Sequence, residues 1–279
     1  MNSTRLSPVR NLNDIWVSET SIEGDDMPDL SRRTALLSLG GAALTGTLAL
    51  AGAAPAVAAP TAQPNRTITV YLVRHGKTWL NQAGRIQGWS DSPLTEAGVA
   101  IAETVGRNLA AKIGGFDAAY SADMMRHFQT ANGILSAAGS SLSPTQIAGL
   151  REVAYGGWEG EKQSTAFPQL AAAGPLDTLA HIIDAFVASN PDKTLPTETW
   201  AQVAERMTAA LTAAATDRRL PMRHGGSILA VSSGMSITCL LESLGATVDG
   251  AIENGAVSTL RYARGSWTVQ SVNDTSYAG

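Results

Sequence analysis

The stretch TITVYLVRHGKT, residues 67–78, decides the fold of this chain. Residues 67–73 are β-branched and apolar side chains in alternation, which predicts a buried β-strand. The strand stops at Arg74 and His75, and Gly76 follows, where the lack of a Cβ atom lets the backbone come close to a ligand. Because α/β sheets bind ligands beyond the carboxyl ends of their strands, we expect a reactive site at Arg74 and His75.

The size and charge of the chain limit the class of protein to which this site can belong. The chain has 279 residues, 20 of them basic and 24 acidic. Without its first 58 residues it keeps a length suited to one well-buried domain, and it is nearly neutral. Nucleic-acid binding, which depends on phosphate neutralisation, is therefore not expected. Cys239 is the only cysteine, so neither an internal disulfide nor a cysteine-rich metal site is possible, and we interpret it as a small buried apolar residue.

Residues 1–58 have the layout of an export signal. Arg32 and Arg33 precede a run rich in Ala, Leu and Gly, and Ala56 and Ala58 are suitable for a cleavage site. The pair of arginines resembles a twin-arginine (Tat) signal, although a Sec route stays open. A membrane anchor is the alternative, but the run is weakly hydrophobic for a stable span, so we expect none after cleavage. We also predict translation from Met27, because the acidic residues before it are unnecessary for such a signal.

Residues 59–66 are predicted to form a short linker. After it, the sequence predicts alternating strands and helices. Thr95 is a suitable N-cap for a helix to about Lys112, and strands are predicted at 116–121, 146–148 and 227–232, followed by a hairpin. Residues 161–196 are helical but interrupted by prolines, including Pro168, and we interpret them as a cap over the site. The predicted fold class is α/β: a three-layer α/β/α sandwich with a mostly parallel central sheet and a helical cap insertion.

Four groups follow predicted strands and should meet at one sheet edge. They are Arg74 with His75, Arg126 in the first turn of a helix from about Ala122, Glu152, and Ser233. Such a set suits phosphoryl transfer, because arginines bind phosphate oxygens, a histidine attacks phosphorus and a carboxyl protonates the departing oxygen. This chemistry requires no metal and no cofactor. A lone arginine or histidine is more often a surface or structural residue, but the ordered set favours a site.

These motifs resemble the histidine phosphatase superfamily, the phosphoglycerate-mutase-like fold, in its branch 1. The resemblance covers residues 67–279 and rests on LVRHGKT at 72–78, GRIQG at 84–88, DSPLT at 91–95, SADMMR at 121–126, QTA at 129–131 and GWEG at 157–160. It implies that His75 is the phosphorylated nucleophile and Glu152 the proton donor and later base. It also implies that Arg74 and Arg126 clamp the phosphate, with Thr78 and Asn81 in the same pocket.

The chain departs from this family at Ser233. Members commonly have Ser-His-Gly where residues 232–234 are Ser-Ser-Gly, so a second pocket histidine is expected to be replaced by Ser233. Loss of one preorganised donor costs on the order of a hundredfold to a thousandfold in rate. Neither His127 nor His224 is expected to substitute: His127 follows Arg126 on a helix and should point about 100° away, and His224 precedes its strand. Ser233→His should then raise turnover.

The resemblance leaves three functions to compare. The preferred one is an exported, metal-independent phosphatase that hydrolyses small phosphomonoesters through a phosphohistidine, with activity reduced by Ser233. The alternative is a pseudophosphatase that binds phosphorylated ligands or a partner without turnover, for which Ser233 is the only support. A phosphoglycerate mutase ranks lower, because export removes the protein from glycolysis and the cap carries only Lys162 and Lys193 as cations.

Overall fold

The structure, a computed structural model, describes residues 66–220 and 224–279. The predicted signal peptide, the start at Met27 and residues 59–65 of the linker lie outside the described residues. Arg66, placed in the linker, belongs to the folded part: its guanidinium donates to the carbonyl oxygen of Ala215 at 2.8 Å. No helix of the described part is both long and apolar enough to cross a membrane.

Six strands of the described residues form the central sheet. They are β1 (Thr67–Arg74), β2 (Ala118–Ser121), β3 (Thr145–Gln146), β4 (Gly226–Ser232), β5 (Val257–Ala263) and β6 (Ser266–Asp274). The order across the sheet is β3-β2-β4-β1-β5-β6. The first four strands in this order pair in parallel, and the β5–β6 hairpin adds an antiparallel edge next to β1. The prediction of a mostly parallel sheet is confirmed.

Helices connect these strands. They are α1 (Trp79–Gln82), α2 (Glu96–Ile113), α3 (Met125–Ala137), α4 (Gln163–Ala173), α5 (Leu179–Ser189), α6 (Trp200–Thr216) and α7 (Gly234–Ser243). Thr95 caps α2 as predicted, because its side chain accepts from the Gly98 N–H at 3.1 Å. Helix α3 begins at Met125, three residues later than predicted, since Met124 has extended backbone angles.

The sheet lies between two helical layers because alternate strand residues face opposite sides. Val73, Leu229 and Val231 pack with apolar residues of α2 and α3 in one buried cluster. Leu72 and Ala230, their neighbours along the strands, belong to a second cluster with residues of α4 to α7. Cys239 is in this second cluster and is fully buried, as predicted. The α/β/α sandwich is therefore confirmed.

The predicted cap region contains α4 and α5. Pro168 was expected to break a helix but lies inside α4. A proline within a helix costs about 3 kcal/mol, and burial of Ala166 and Leu170 on the second cluster offsets that cost. Phe186 of α5 packs on Tyr155 with ring centroids 4.5 Å apart. Both helices thus share the core of the domain, while their role as a cap stays a prediction.

Candidate active site

Parallel pairing brings the ends of β1, β2 and β4 to one edge of the sheet. Arg74 is in register with Ser232, and Ser121 with Val231. The residue after β1 is His75, and the residue after β4 is Ser233. Helix α3 follows β2 after three residues, which puts Arg126 in its first turn at the same edge.

His75 is held as a neutral imidazole with one nitrogen available. Its Nδ1 lies 2.8 Å from the carbonyl oxygen of Gly76, which only accepts, so Nδ1 carries the proton and Nε2 keeps its lone pair. Burial, together with the charges of Arg126 and Arg74, holds the pKa of His75 well below its ordinary value. Asn254 fixes the backbone by donating to the His75 carbonyl oxygen at 2.8 Å. An unprotonated Nε2 beside two cations suits attack on an electron-poor phosphorus.

Arg126 is a fully buried cation fixed by the loop before α2. One terminal nitrogen donates to the Ser90 carbonyl and to Asp91 Oδ1, both at 3.0 Å, and the other donates to the Gly88 carbonyl at 2.7 Å. Burial lowers the pKa of this guanidinium, while the charge of Asp91 opposes the change. Its Nε–H has no hydrogen-bond partner among the described residues. The orientation of Arg126 is therefore set by protein acceptors, while its Nε–H donor stays unused.

Arg74, like Arg126, has an Nε–H group without a hydrogen-bond partner among the described residues. Among the described residues, one end of its guanidinium group is bonded, where Nη1 donates to the Ile252 carbonyl. Its Nε is buried and finds no acceptor in the part of the chain that the structure describes. Gly234 lies so close that a Cβ atom there would be 3.4 Å from this Nε. Arg74 and Arg126 thus present two buried N–H donors near His75.

Glu152 is anchored at the start of α7. Its carboxylate accepts from the backbone N–H groups of Met235 at 3.1 Å, Ser236 at 2.8 Å and Val153 at 2.9 Å. The side chain is 6% exposed, and its charge acts on both Arg74 and Arg126. It does not directly follow β3, as the sequence had indicated, because a short helical turn, Ala148–Leu150, intervenes. Helix α7 therefore contributes as much to the position of Glu152 as the sheet does.

Thr78 and Asn81 form a capping box on α1. The Asn81 N–H donates to Thr78 Oγ1 at 3.1 Å, and the Thr78 N–H donates to Asn81 Oδ1 at 3.3 Å. Thr78 is fully buried, and its hydroxyl donates to Gln87 Oε1 at 2.6 Å. These contacts tie the segment after His75 to the next loop. Contact of either side chain with substrate remains a prediction.

Ser233 and His127 are in direct contact. Ser233 is fully buried, and its Oγ lies 2.6 Å from Nε2 of His127. The His127 ring meets the His75 ring edge to face, with centroids 5.2 Å apart. The expectation that His127 points away from the site is therefore wrong. Side chains in the first turn of a helix lean toward its N-terminus, so Arg126 and His127 both overhang the sheet edge despite their angular separation.

Comparison with known proteins now identifies the family. The sequence model of the histidine phosphatase superfamily (branch 1) matches residues 70–275. The chain belongs to this superfamily.

Individual relatives agree with this assignment. "Probable phosphoglycerate mutase GpmB" of Yersinia pestis is 32% identical over 225 residues, which are 75% of this chain and 94% of that protein. The crystal structure of phosphoglycerate mutase from Bacillus anthracis is 35% identical, covers 77% of this chain and 97% of its own, and has a TM-score of 0.70. Phosphoserine phosphatase from Entamoeba histolytica, at 21% identity and a TM-score of 0.55 over 76% of this chain and 99% of that one, shares the fold.

Glu159 is a structural residue of this chain that the sequence did not single out. Its carboxylate accepts from four backbone N–H groups, those of Gly88, Trp89, Ser90 and Tyr155, at 2.7–3.1 Å. Two of these residues, Gly88 and Ser90, also supply the carbonyl groups that hold Arg126. The quoted GWEG motif was the available signal, but nothing in the sequence names the loop that Glu159 contacts.

Arg206 of α6 supports Glu152 from the other side. It donates to the carbonyl oxygens of Arg151 at 2.7 Å and Glu152 at 2.9 Å, and it forms an ion pair with Glu198 at 2.7 Å. No motif in the sequence singles out Arg206. Within residues 66–220 and 224–279 no group of His, Cys, Asp or Glu side chains is arranged to hold a metal ion.

Proposed function

We propose that this protein is an exported, metal-independent phosphatase that hydrolyses small phosphomonoesters through a phosphohistidine. The observation that supports this most is the neutral His75, with its unprotonated Nε2, beside the guanidinium groups of Arg74 and Arg126, whose Nε atoms are buried. Guanidinium N–H groups match phosphate oxygens in geometry and charge. They supply in this site the positive charge that phosphoryl transfer needs.

The reaction takes two steps. His75 Nε2 gives its lone pair to phosphorus while the ester P–O bond breaks, and Glu152 protonates the departing oxygen, so that an alcohol leaves and phosphohistidine remains. Water then attacks phosphorus and gives a proton to the Glu152 carboxylate. The P–N bond breaks, its electron pair returns to Nε2, and inorganic phosphate is released. The anchoring of Glu152 on α7 keeps it near both steps.

A phosphoglycerate mutase is the second candidate, because two of the relatives described above carry that name. Binding a doubly phosphorylated ligand calls for cations besides the two arginines. Lys193, one of the two lysines in the predicted cap, donates to the carbonyl oxygens of Val187 and Ala188 at the end of α5. Lys162, the other, is exposed at the start of α4. This supports hydrolysis over mutase activity.

The decisive assay follows phosphate release from an aryl phosphate by the full chain in EDTA, beside His75→Ala. His181→Ala, at an exposed histidine of α5, is the matched control. We expect release by the unmodified protein and the control and none by His75→Ala. If the unmodified protein binds vanadate but releases no phosphate, the pseudophosphatase function replaces the proposal. Transfer between phosphoglycerates, without net phosphate release, would favour the mutase.

Export is tested separately, with a double Arg32→Lys and Arg33→Lys variant expressed in a bacterium that has both export routes. A twin-arginine route predicts that the variant stays in the cytoplasm while the unmodified chain is exported and shortened to a start near Ala59. Unchanged export of the variant would instead indicate the Sec route, and export of neither protein would contradict the localisation.

A further inference from the structure

His127 is a buried polar side chain that the proposed mechanism does not use. It is fully buried in the first turn of α3, and its ring meets His75 edge to face. Ser233, from the junction of β4 and α7, is its hydrogen-bond partner. Burial of an imidazole is costly unless its nitrogens are bonded. This placement beside the nucleophile therefore calls for a reason other than packing.

The contact with Ser233 engages one nitrogen of His127 and leaves the other without a partner. Nε2 lies 2.6 Å from Ser233 Oγ, whereas Nδ1 is buried and has no hydrogen-bond partner in the described part of the chain. A neutral imidazole has one donor and one acceptor nitrogen. If the Ser233 hydroxyl donates to Nε2, the proton of His127 is on Nδ1, which then becomes a free N–H donor.

With this tautomer, Nδ1 of His127 is a buried N–H group without an acceptor, like two N–H groups of the neighbouring arginines. Arg74 Nε and Arg126 Nε are also buried N–H groups for which the described residues offer no acceptor. Burial and the charge of Arg126 hold the pKa of His127 well below its ordinary value, so the ring is neutral. Several unsatisfied donors around one histidine, with no acceptor to match them, are suited to the oxygens of an anion.

We infer that His127 is a further catalytic residue of this site, donating from Nδ1 to an oxygen of the transferring phosphoryl group, and that Ser233 is the positioning residue that sets its tautomer. The inference rests on the proposed function. It also changes the interpretation of Ser233. The sequence predicted the loss of an imidazole at this position, but His127 of α3 supplies one. Activity then need not be reduced.

The same contact reverses the expectation for Ser233→His. Ser233 is fully buried against the His127 ring, so a second imidazole has no room beside it. Overpacking of a close-packed site displaces its neighbours. We therefore expect the single variant to lose activity, whereas His127→Ala opens space into which a histidine at position 233 fits.

The experiment compares the full chain with His127→Ala, Ser233→Ala, Ser233→His and the double variant His127→Ala/Ser233→His. We expect His127→Ala to lower kcat about a hundredfold, as loss of one oxyanion donor does, with a smaller change in KM. Ser233→Ala should lower kcat less and alter its pH profile, since the tautomer is no longer set. The double variant should recover at least about tenfold over His127→Ala.

If the effects of substitutions at positions 127 and 233 are not additive, the two residues act together, whereas independent structural damage would give additive effects. His181→Ala is the control, and unfolding curves establish that each variant folds; if His127→Ala does not, His127→Leu, which fills the space without an N–H donor, takes its place. A folded His127→Ala with kcat within about threefold of the unmodified chain overturns the inference, and so does a double variant no better than His127→Ala.

The proposed function fails separately, if the unmodified protein releases no phosphate. In that case vanadate and inorganic phosphate binding, measured by calorimetry, still tests His127. A weaker affinity of His127→Ala for both anions supports the inference without turnover. An unchanged affinity overturns it.

Discussion

The carbonyl oxygen of Gly98 lies 2.4 Å from the position that a Cβ atom on Gly76 would occupy. In the other direction, a Cβ atom on Gly98 would lie 2.1 Å from the Lys77 carbonyl oxygen. These two glycines let the first turn of α2 press against the backbone directly after His75. Because the Gly76 carbonyl receives the Nδ1 proton of His75, this close approach fixes the tautomer of His75.

Gly76→Ala is therefore expected to be destabilising and to lower activity. The new methyl group meets backbone atoms that cannot rotate away, which costs about 1–3 kcal/mol. Urea unfolding and phosphate release measure the two effects. Gly174→Ala is the control, since Gly174 has φ 171° and, apart from its chain neighbours, no described residue comes within 4 Å of the place that its new methyl group would take; it should change stability by less than about 0.5 kcal/mol. A Gly76→Ala variant as stable and active as the unmodified chain would contradict the role of this contact.

Glu159→Gln should loosen the loop that holds Arg126. The amide nitrogen of Gln cannot accept, so about two of the four backbone N–H groups lose their partner. Hydrogen bonds to a charged group contribute about 1.5–3 kcal/mol each. We expect a loss of stability of roughly 3 kcal/mol or more and a raised KM, measured by unfolding and by steady-state kinetics. Glu161→Gln, at a nearby exposed position, should change neither.

Glu152→Gln should separate the two chemical steps. An aryl phosphate has a good leaving group that needs little protonation, so the first step proceeds, while hydrolysis of phosphohistidine loses its base. Rapid mixing should show a burst of about one phenol per active site, followed by turnover lowered about 10²- to 10⁴-fold. With an alkyl phosphate the burst should disappear. Equal losses for both substrates and no burst would argue against Glu152 as proton donor.

The pH dependence of stability should contain a contribution from His75 and His127. Both pKa values are lowered by burial in the folded state, so between the ordinary value of 6.5 and the lower folded value the unfolded chain binds more protons. Stability must then fall as pH falls below 6.5, by up to about 1.4 kcal/mol per pH unit for each histidine. Urea unfolding from pH 7.5 to 5.5 should show a shallower decline for His75→Gln and His127→Gln. An unchanged slope would contradict these shifts.

Much of the fold was predictable because its signals are local. Residues 67–73 have the pattern of a buried strand and form β1, and the cap at Thr95 starts α2. Errors arose where local signals compete with packing. Pro168 lies inside α4 because burial of its neighbours outweighs the backbone cost, and a helical turn separates Glu152 from β3.

The candidate site was predictable in its members but not in its contacts. Parallel strands bring Arg74, His75, Arg126 and Ser233 to one edge, and this follows from strand order and polarity alone. Which atoms then touch depends on how helices sit over that edge. The helical angle between Arg126 and His127 excluded His127, although the tilt of a first helical turn brings both side chains over the sheet.

By itself the sequence determined the α/β class, the family and the residue types at the strand ends, because these depend on periodicity and on motifs within a few neighbouring positions. Only the tertiary structure decided that His127 meets Ser233 across 106 positions of sequence, that Gly76 meets Gly98, and that Glu159 holds the loop around Arg126. The physical reason is that side-chain contacts between distant segments are set by the packing of whole helices on the sheet, and a shift of about an ångström in that packing decides whether a hydrogen bond forms.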